Sequence, residues 1–581
     1  MTDQPMPSGA PGPAGGPKSP PGPGPAGGPG PAAGPHWTDM LEPVPPEARA
    51  AAAPVEDEPP DWASGDADAA GDDSLGARAP QPPPRRVARP IGTNVVRTGI
   101  ALIAAFAILA SGAGYWQVVD AQRLANRTDN PSVIAAARRT LRGGIVDRKG
   151  SWLARSVRDQ NGEAQREYRD TSISSVVGYS SRQFGSAALE RAYNAQLLGL
   201  TTGDPLSGLA NKLFPSTSKV LGLQLALDLR LQRAAIAGLG SDRGAVVMMD
   251  PSTGEILAMV STPTYDASAI ADPASAAATM AALNADKNLP LLPRATLGQY
   301  VPGSVLKIVT AIAGLDSGAI TPGTTYAQQP SAEKSGLLVD GFRIKDGHHP
   351  QTGSTALDLA SATEVSCNIW YALTGLQIGG DRLVAEAAKL GFGSALPFDL
   401  PTAASRLTNG GGPAPGGFAD DAELASAAFG QGETVVTPLQ MALVASAVAN
   451  DGWLMKPHLV TALTGDAPGA RTIDPEVWRR VMSGEDAAAI KAAMEQAVEG
   501  DLGKLFTTGA AVPGIPTAGK SGTAQLGGTG EPNSWFIGFA SVDHPKIAIA
   551  VIVEQGGRGG ERAAPLAGAL MAKYFALYGT P

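Results

Sequence analysis

The alternation of apolar and polar residues predicts the elements of this chain before any other property is considered. Thr98 to Val119 is a run without a charged side chain. As a helix rising about 1.5 Å per residue, it would extend about 33 Å, enough to cross the hydrocarbon layer of a membrane. Further on, Leu189, Tyr193 and Leu197 recur at helical spacing, which predicts one helix over residues 186–199. The pattern therefore predicts a spanning helix followed by a folded region.

Period-two alternation predicts the strands of that folded region. They are expected at residues 223–228, 244–250, 255–261, 534–539 and 546–553, the second and third joined as a hairpin by the turn 251–254. Helices are expected at residues 231–239 and 563–578, and the stretch up to about residue 500 is expected to be largely helical. Strands at both ends with helices between them indicate one sheet assembled from distant segments and covered by helices, a mixed α/β (α+β) fold.

Composition divides the chain near residue 95. Pro and Gly are enriched before this point without bulky apolar residues, so residues 1–95 are expected to be a disordered tail, acting as a spacer or binding a partner. Residues 96–119 are the expected membrane helix, the alternative being a buried core helix. Arg85, Arg86, Arg89 and Arg97 precede the uncharged run that begins at Thr98 and favour a cytoplasmic tail, although Arg123 and Arg127 follow the run.

Charge and cysteine content narrow the function. The net charge of −9 speaks against a nucleic-acid partner, which needs a concentrated Lys/Arg surface. Cys367 is the single cysteine, so an internal disulfide is impossible, and the sequence offers no recognisable set of four zinc ligands. We therefore expect neither a cofactor nor a metal.

A serine and a lysine three residues apart form the first candidate motif. Pro302 and Gly303 mark a turn, and the apolar residues after it predict a helix, so Ser304 would lie at a helix N-terminus, where developing negative charge is stabilised. Lys307 is one turn further on the same face. A desolvated lysine can be neutral enough to take the proton of a serine hydroxyl.

Two further motifs complete the candidate chemistry. Ser366 and Asn368 flank Cys367 at a predicted bend between helices, where they could carry a proton and hold a carbonyl. Lys520 to Thr523 precede the final strands. Lys520 could attract a carboxylate, and Gly522 would let a substrate approach the backbone closely. Thr523 could donate its backbone N–H to an oxyanion and its hydroxyl to the carboxylate.

A nucleotide-binding loop is the competing interpretation of the third motif. Gly514, Gly519, Lys520 and Ser521 have the spacing of a phosphate loop. Such a loop must open a helix, and the residues after Gly522 do not have helical periodicity, which counts against a nucleotide-binding ATPase.

Together the three motifs resemble the active-site set of penicillin-binding proteins and serine β-lactamases. The segments 142–150 and 189–193 resemble signatures of class B penicillin-binding proteins, and Ser-Cys-Asn at 366–368 resembles the actinobacterial penicillin-binding protein A group. The resemblance implies a pedestal (dimerisation-type) domain over residues 120–220. It implies a transpeptidase domain over residues 221–581, with an antiparallel sheet covered by helices and an all-helical lobe.

This resemblance implies roles for eight residues. Ser304 would be the acylated nucleophile and Lys307 its base, while Ser366, aided by Lys520, would return the proton to the leaving D-Ala. Asn368 would hold the donor peptide. The terminal carboxylate would be bound by Ser521, Gly522 and Thr523, and Thr523 would form the oxyanion hole with the Ser304 N–H.

The implied activity is peptidoglycan D,D-transpeptidation outside the cytoplasmic membrane, with D-Ala-D-Ala stem peptides as substrates and β-lactams as inhibitors. A membrane glycosyltransferase and division or elongation proteins are the implied partners. A D,D-carboxypeptidase, a β-lactamase and a non-catalytic β-lactam-binding scaffold or sensor are the alternatives. The membrane helix and the 142–150 segment argue against a secreted β-lactamase, and the intact motifs argue against an idle scaffold.

Overall fold

The computed structural model describes residues 91–116, 140–160, 162–200, 220–527 and 530–580. Residues 1–90 of the expected tail and residues 117–119 of the predicted membrane helix lie outside these ranges. Residues 91–95, also expected in the tail, are described and are helical. The first described helix is Ile91–Gly114, and its part Val95–Gly114 is long and apolar enough to cross a membrane. Its large apolar side chains are exposed in the protein, Ile103 by 71%, which argues against a buried core helix.

The predicted sheet is present as a five-stranded antiparallel sheet built from both ends of the folded region. In spatial order its strands are Thr517–Ala524, Asn533–Ala540, Ile547–Val553, Gly244–Met249 and Ile256–Thr262. The hairpin and the two late strands were therefore predicted correctly, within one residue at most ends. Because Thr517–Ala524 lies at the edge of this sheet, we call it the edge strand; one of its two sides is free to meet other segments.

Both faces of the five-stranded sheet are covered, which explains why its strands are almost continuously apolar. In the strand Gly244–Met249, Val246 and Met248 pack in one core cluster and Val247 and Met249 in the other. The first cluster is completed by the helices Leu229–Leu239 and Ala563–Tyr578, both close to their predicted limits.

The second cluster is part of a large helical lobe. Its helices are Ala267–Ala271, Ala276–Ala285, Arg294–Leu297, Lys307–Asp316, Gln329–Ser335, Leu359–Glu364, Asn368–Ile378, Gly380–Lys389, Asp421–Ala428, Pro438–Ala449 and Gly484–Glu499, with short 3-10 turns at Gly303–Leu306, Pro415–Gly417 and Gly503–Leu505. The lobe also contains two strand pairs that the sequence did not predict, Leu337–Val339 with Phe342–Ile344 and Trp453–Met455 with Val477–Arg480. Strands of three or four residues show too few alternations to be recognised.

A second, six-stranded sheet joins the two regions predicted as separate domains. In spatial order its strands are Arg471–Thr472, Val460–Thr464, Gly222–Leu225, Ile145–Val146, Trp152–Arg158 and Ala164–Tyr168. The strand Gly222–Leu225 pairs in parallel with Ile145–Val146 and antiparallel with Val460–Thr464. This sheet therefore takes strands from both sides of the expected limit at residue 220, and the limit itself stays a prediction.

The prediction of one continuous helix over residues 186–199 is wrong. The structure has two short helices, Ala188–Ala192 and Asn194–Leu198, interrupted at Tyr193, whose φ of −109° and ψ of 25° are not helical. The Tyr193 hydroxyl donates to Asp399 Oδ1 at 2.6 Å, a tertiary contact that apolar spacing cannot reveal. The remaining small elements near it are Thr171–Ile173, Ser174–Val177, Ser180–Ser181 and Gly185–Ser186.

A buried carboxylate holds the segments around residues 142, 166 and 190 together. Glu190 is 0% exposed and receives Arg142 Nε at 2.9 Å and Arg166 Nε at 2.6 Å. Burial alone would raise the pKa of Glu190, but the two guanidinium groups outweigh it and lower the pKa below its usual value. The carboxylate therefore stays charged, and each arginine depends on it for its counter-charge.

Candidate active site

Ser304 lies in a tight turn at the start of a buried helix. Gly303–Leu306 forms a 3-10 turn that continues directly into the helix Lys307–Asp316, as the sequence predicted apart from the tighter first turn. We call Gly303–Leu306 the serine turn. It is fixed by a hydrogen bond from Gly303 N to Gly430 O of 2.9 Å, and Ser304 itself is half-buried. The serine is therefore held rigidly while remaining partly accessible.

Lys307 links the first two motifs. Its Nζ donates to Ser366 O at 2.5 Å, to Ser366 Oγ at 3.1 Å and to Asn368 Oδ1 at 2.8 Å. The lysine is 0% exposed, and its helix places it one turn after Ser304. Lys307, Ser366 and Asn368 thus form one hydrogen-bonded group. This group lies one helical turn from Ser304.

Burial adjusts the protonation of both lysines. It lowers the pKa of Lys307 to about 8, although the charge of Asp346 opposes this effect. Burial also lowers the pKa of Lys520 well below its usual value, and the nearby charge of Lys307 lowers it further. Two ammonium groups close together in a dry site cannot both stay charged at little cost, so neutral amines are accessible near neutral pH.

The Ser-Cys-Asn segment forms a bend between two helices, as predicted. The helix Leu359–Glu364 ends before it, and the helix Asn368–Ile378 begins with it. Ser366 has a φ of +59°, a left-handed conformation that costs a non-glycine residue on the order of 1 kcal/mol. In this conformation both the carbonyl oxygen and the hydroxyl group of Ser366 lie within hydrogen-bond distance of the Lys307 amine.

The edge strand brings the third motif to the serine turn. Lys520 is 1% exposed and its Nζ donates to Ser521 O at 3.0 Å. A Cβ on Gly522 would lie 2.9 Å from Pro302 O and 3.1 Å from Val305 N. Glycine at 522 is therefore required by the close approach of the serine turn, a contact that the sequence analysis did not predict.

Thr523 contributes to the same contact from the edge strand. A Cβ on Gly303 would lie 2.8 Å from Thr523 O, so the two backbones pass as closely as glycine allows. The Thr523 hydroxyl accepts a hydrogen bond from Gly559 N at 3.2 Å. Ser304 and Thr523, the two residues predicted to form an oxyanion hole, therefore belong to segments in direct contact.

The phosphate-loop interpretation of the third motif is wrong. Lys520 and Ser521 lie within a strand of eight residues, Thr517–Ala524, which pairs along its whole length with Asn533–Ala540. A phosphate loop has to open a helix so that free N–H groups and the helix dipole meet the phosphate. The edge strand offers neither feature.

One group of side chains beside the site was missed by the sequence analysis. Cys367 Sγ donates to Asp346 Oδ2 at 2.8 Å and to Glu333 Oε1 at 3.2 Å, and His349 lies against both carboxylates. Burial, then the charge of Asp346, raises the pKa of Cys367 well above its usual value, which disfavours the thiolate form. The group spans 34 residues without a regular spacing, which is why no motif reveals it.

Two family models match the chain. The penicillin binding protein transpeptidase domain matches residues 244–572, and the penicillin binding protein A dimerisation domain matches residues 142–214. Among curated proteins, the peptidoglycan D,D-transpeptidase PbpA of Mycolicibacterium smegmatis is 33% identical over 504 residues, covering 83% of this chain and 99% of that protein. The protein of the same name from Mycobacterium tuberculosis is 31% identical over 511 residues, covering 84% and 100%.

Solved structures agree with these matches. A ceftriaxone acyl-enzyme complex of penicillin-binding protein A from M. tuberculosis aligns with a TM-score of 0.66 at 30% identity, covering 75% of this chain and 99% of that chain. The PBP2 of Pseudomonas aeruginosa aligns with a TM-score of 0.64 at 28% identity, covering 75% and 96%. The fold is thus shared with a penicillin-binding protein A that has been solved as an acyl-enzyme complex.

Proposed function

The chain belongs to the penicillin-binding protein family of peptidoglycan D,D-transpeptidases, and we propose that Ser304 is the residue acylated in its reaction. The observation that carries this assignment is the contact of the buried Lys307 amine with Ser366 and Asn368, one helical turn from Ser304. This arrangement supplies a weak nucleophile with a base whose pKa, about 8, suits proton transfer near neutral pH.

The first half-reaction forms the acyl-enzyme. Ser304 Oγ attacks the carbonyl carbon of the D-Ala-D-Ala peptide bond while neutral Lys307 takes the hydroxyl proton. The oxyanion of the tetrahedral intermediate receives hydrogen bonds from the backbone N–H groups of Ser304 and Thr523. The C–N bond then breaks, and the departing D-Ala nitrogen receives a proton through Ser366, with Lys520 beside it.

Substrate binding depends on the edge strand. The stem peptide ends in a carboxylate, and Lys520, Ser521 and Thr523 provide an amine and two hydroxyl groups on this strand for binding it. Gly522 keeps the strand close to the serine turn, so the same strand binds the carboxylate and donates to the oxyanion. Asn368, held by Lys307, is in position to bind the amide of the donor peptide.

The second half-reaction transfers the acyl group to an amine. The acceptor nitrogen attacks the Ser304 ester, loses a proton to the Lys307–Ser366 pair and forms the cross-link, and Ser304 is regenerated. A β-lactam enters the same first step, but its ring nitrogen stays tethered to the acyl group after the C–N bond breaks. The leaving group then cannot depart, and the enzyme remains acylated.

We propose that the protein is anchored by the single helix Val95–Gly114, with the tail before it in the cytoplasm and the catalytic region outside. The apolar, exposed surface of this helix supports the span, and Arg85, Arg86 and Arg89 support the orientation. The matched domains are a transpeptidase domain and a dimerisation domain. The partners we propose are a membrane glycosyltransferase that supplies glycan strands and division or elongation proteins.

Labelling with a fluorescent penicillin tests the assignment of Ser304. The full-length protein in detergent is treated with the penicillin, digested, and the labelled peptide is identified by mass spectrometry. We expect the adduct on Ser304 and its loss in Ser304→Ala. The matched control is Ser317→Ala, at the end of the same helix, which should label like the wild type.

A second assay separates transfer from hydrolysis. The protein is incubated with a D-Ala-D-Ala pentapeptide, with and without an acceptor amine, and released D-Ala and cross-linked product are quantified. A transpeptidase forms cross-linked product that depends on Ser304, whereas a carboxypeptidase releases D-Ala without it. Labelling of a different residue, or unchanged labelling of Ser304→Ala, would contradict the assignment.

A further inference from the structure

The segment that leads into the serine turn is tied to the five-stranded sheet by two side-chain hydrogen bonds. The Tyr300 hydroxyl donates to Glu554 Oε1 at 2.8 Å, and Trp535 Nε1 donates to Val301 O at 3.1 Å. The Tyr300 and Trp535 rings meet edge to face, with their centroids 6.1 Å apart. Both hydrogen bonds act on residues that precede Ser304 by four positions or fewer, so they bear on where the nucleophile lies.

Glu554 has a fixed position at the end of this sheet. It directly follows the middle strand, Ile547–Val553, and its backbone N–H donates to Arg243 O at 2.8 Å. Its side chain, 16% exposed, lies between two arginines: Arg294 Nε is 2.7 Å from Oε1, and Arg243 Nε is 3.2 Å from Oε2. Because Arg294 is buried, the carboxylate cannot turn away without leaving a buried guanidinium group unpaired.

Tyr300 is held at its backbone as well as at its hydroxyl group. Its backbone N donates to Val436 O at 3.0 Å, and its backbone O accepts from Val436 N at 2.9 Å. Burial, and then the charge of Glu554, raises the pKa of Tyr300 well above its usual value, so the hydroxyl keeps the proton that it donates. A hydrogen bond from a hydroxyl to a charged carboxylate is one of the stronger kinds.

The two N–H groups assigned to the oxyanion hole belong to different parts of the fold. Ser304 lies in the serine turn, which continues into the helical lobe, whereas Thr523 lies in the edge strand of the sheet. The hydrogen bond between Tyr300 and Glu554 joins these two parts. Donors stabilise an oxyanion when they are already in place, so the separation of the two N–H groups has to be maintained before the substrate reacts.

We propose that Glu554 is a positioning residue for acylation, which acts through Tyr300 on the two halves of the oxyanion hole. The inference rests on the proposed role of Ser304, and Glu554 is not among the residues assigned to the substrate or to the reacting atoms. A displacement of about 1 Å at an active site can cost about 100-fold in rate, so a remote hydrogen bond of this kind affects the reaction. Since the oxyanion develops only in the transition state, the effect falls on the rate of acylation and not on affinity.

Tyr300→Phe in the full-length protein in detergent tests this role with the smallest change. The variant loses the hydroxyl group and keeps the ring that packs against Trp535. Stopped-flow acylation by a chromogenic cephalosporin over a range of concentrations gives the dissociation constant of the non-covalent complex and the rate constant of acylation. We expect the rate constant to fall about 10-fold and the dissociation constant to stay within about 2-fold of the wild type.

Tyr326→Phe is the matched control. The Tyr326 hydroxyl also makes a hydrogen bond, with Thr374 Oγ1 at 3.1 Å, and its ring meets Trp370 edge to face with centroids 5.8 Å apart. This variant should lose a similar amount of thermal stability and should acylate like the wild type. The comparison separates a loss of position from a general loss of stability.

A cavity beside Glu554 allows a second test with a small molecule. Its volume is about 300 Å³, and its walls include Arg243, Tyr300, Val301 and Glu554. Glu554→Ala would enlarge this cavity and leave the two arginines without their carboxylate. Formate, which carries the missing carboxylate, should raise the melting temperature of Glu554→Ala and recover part of its lost acylation rate, whereas chloride at the same concentration should not. When Tyr300→Phe is added to Glu554→Ala, formate should no longer accelerate acylation.

The results that would overturn the proposal are defined for each variant. They are a wild-type rate constant in Tyr300→Phe, a loss of affinity in place of rate, and an equal loss of rate in Tyr326→Phe. Formate that stabilises Glu554→Ala without accelerating its acylation would also overturn the proposal, and if Glu554→Ala does not fold or bind formate, Tyr300→Phe decides alone. Labelling of Ser304 is verified in the wild type of the same series, so a wrong assignment of Ser304 appears there and a wrong role for Glu554 appears only in the variants.

Discussion

The pKa of Lys307 leads to a quantitative prediction for the rate of acylation. The amine acts as a base only when it is neutral, and burial lowers its pKa from 10.5 to about 8. Neutral amine accumulates as the pH rises through the pKa. Acylation should therefore accelerate with increasing pH and level off above the pKa, the opposite sign to a reaction that needs a charged lysine.

The size of the effect follows from the same value. With a pKa of about 8, the neutral fraction is about 0.09 at pH 7, about 0.5 at pH 8 and about 0.9 at pH 9. The second-order rate of acylation should rise about 5-fold from pH 7 to pH 8 and about 2-fold more to pH 9. With the ordinary lysine pKa near 10.4, the rise would be about 10-fold in each interval without a plateau.

Stopped-flow measurement of acylation by a chromogenic cephalosporin, between about pH 6 and about pH 9.5, provides the test. Lys307→Arg removes the titratable base and should lower the rate by about 10²- to 10⁴-fold at every pH. The matched control is Lys389→Arg, which should keep the wild-type profile. Lys389 is half-exposed and pairs with Asp316, the last residue of the helix that begins at Lys307. A flat profile, or one still rising 10-fold per pH unit at pH 9, would refute the reasoning.

Two substitutions elsewhere have equally defined expectations. Gly522→Ala should slow acylation at least 10-fold and destabilise the protein by about 1–3 kcal/mol. The new methyl group would lie 2.9 Å from Pro302 O and push the edge strand away from the serine turn. Unchanged acylation kinetics and melting temperature would contradict this prediction. Glu190→Gln leaves two buried arginines without a counter-charge and should cost about 3–5 kcal/mol in denaturant unfolding. Glu167→Gln, which breaks an exposed pair, should cost less than about 1 kcal/mol, and equal costs would show that burial is not the deciding factor.

Long and strongly periodic elements could be predicted from the sequence. The hairpin 244–262, the two late strands and the last helix carry continuous apolar patterns, because each is buried against a sheet or a helix layer. The three candidate motifs were equally visible, since each depends on neighbouring residues. Their convergence could be expected only from the resemblance to a known family.

Features that depend on tertiary contacts could not be predicted. The interruption at Tyr193 is accompanied by its hydroxyl contact with Asp399, 206 residues away. Glu333, Asp346, His349 and Cys367 belong to a helix, a loop and a bend, and their side chains meet only in the folded chain. The contact of Gly522 with the serine turn could not be predicted either, because the sequence shows that a glycine is present but not which backbone approaches it.

The six-stranded sheet has a consequence for how this protein can be divided. The strand Gly222–Leu225 lies between Ile145–Val146 and Val460–Thr464, so a fragment beginning at residue 244 would lose this strand and leave Val460–Thr464 without one of its neighbours. The same cut would remove Asp228, to which the Tyr578 hydroxyl donates a hydrogen bond at the far end of the chain. The two segments that match separate family models are therefore not interchangeable modules. A fragment that keeps this sheet intact therefore has to begin before Ile145 rather than at residue 244.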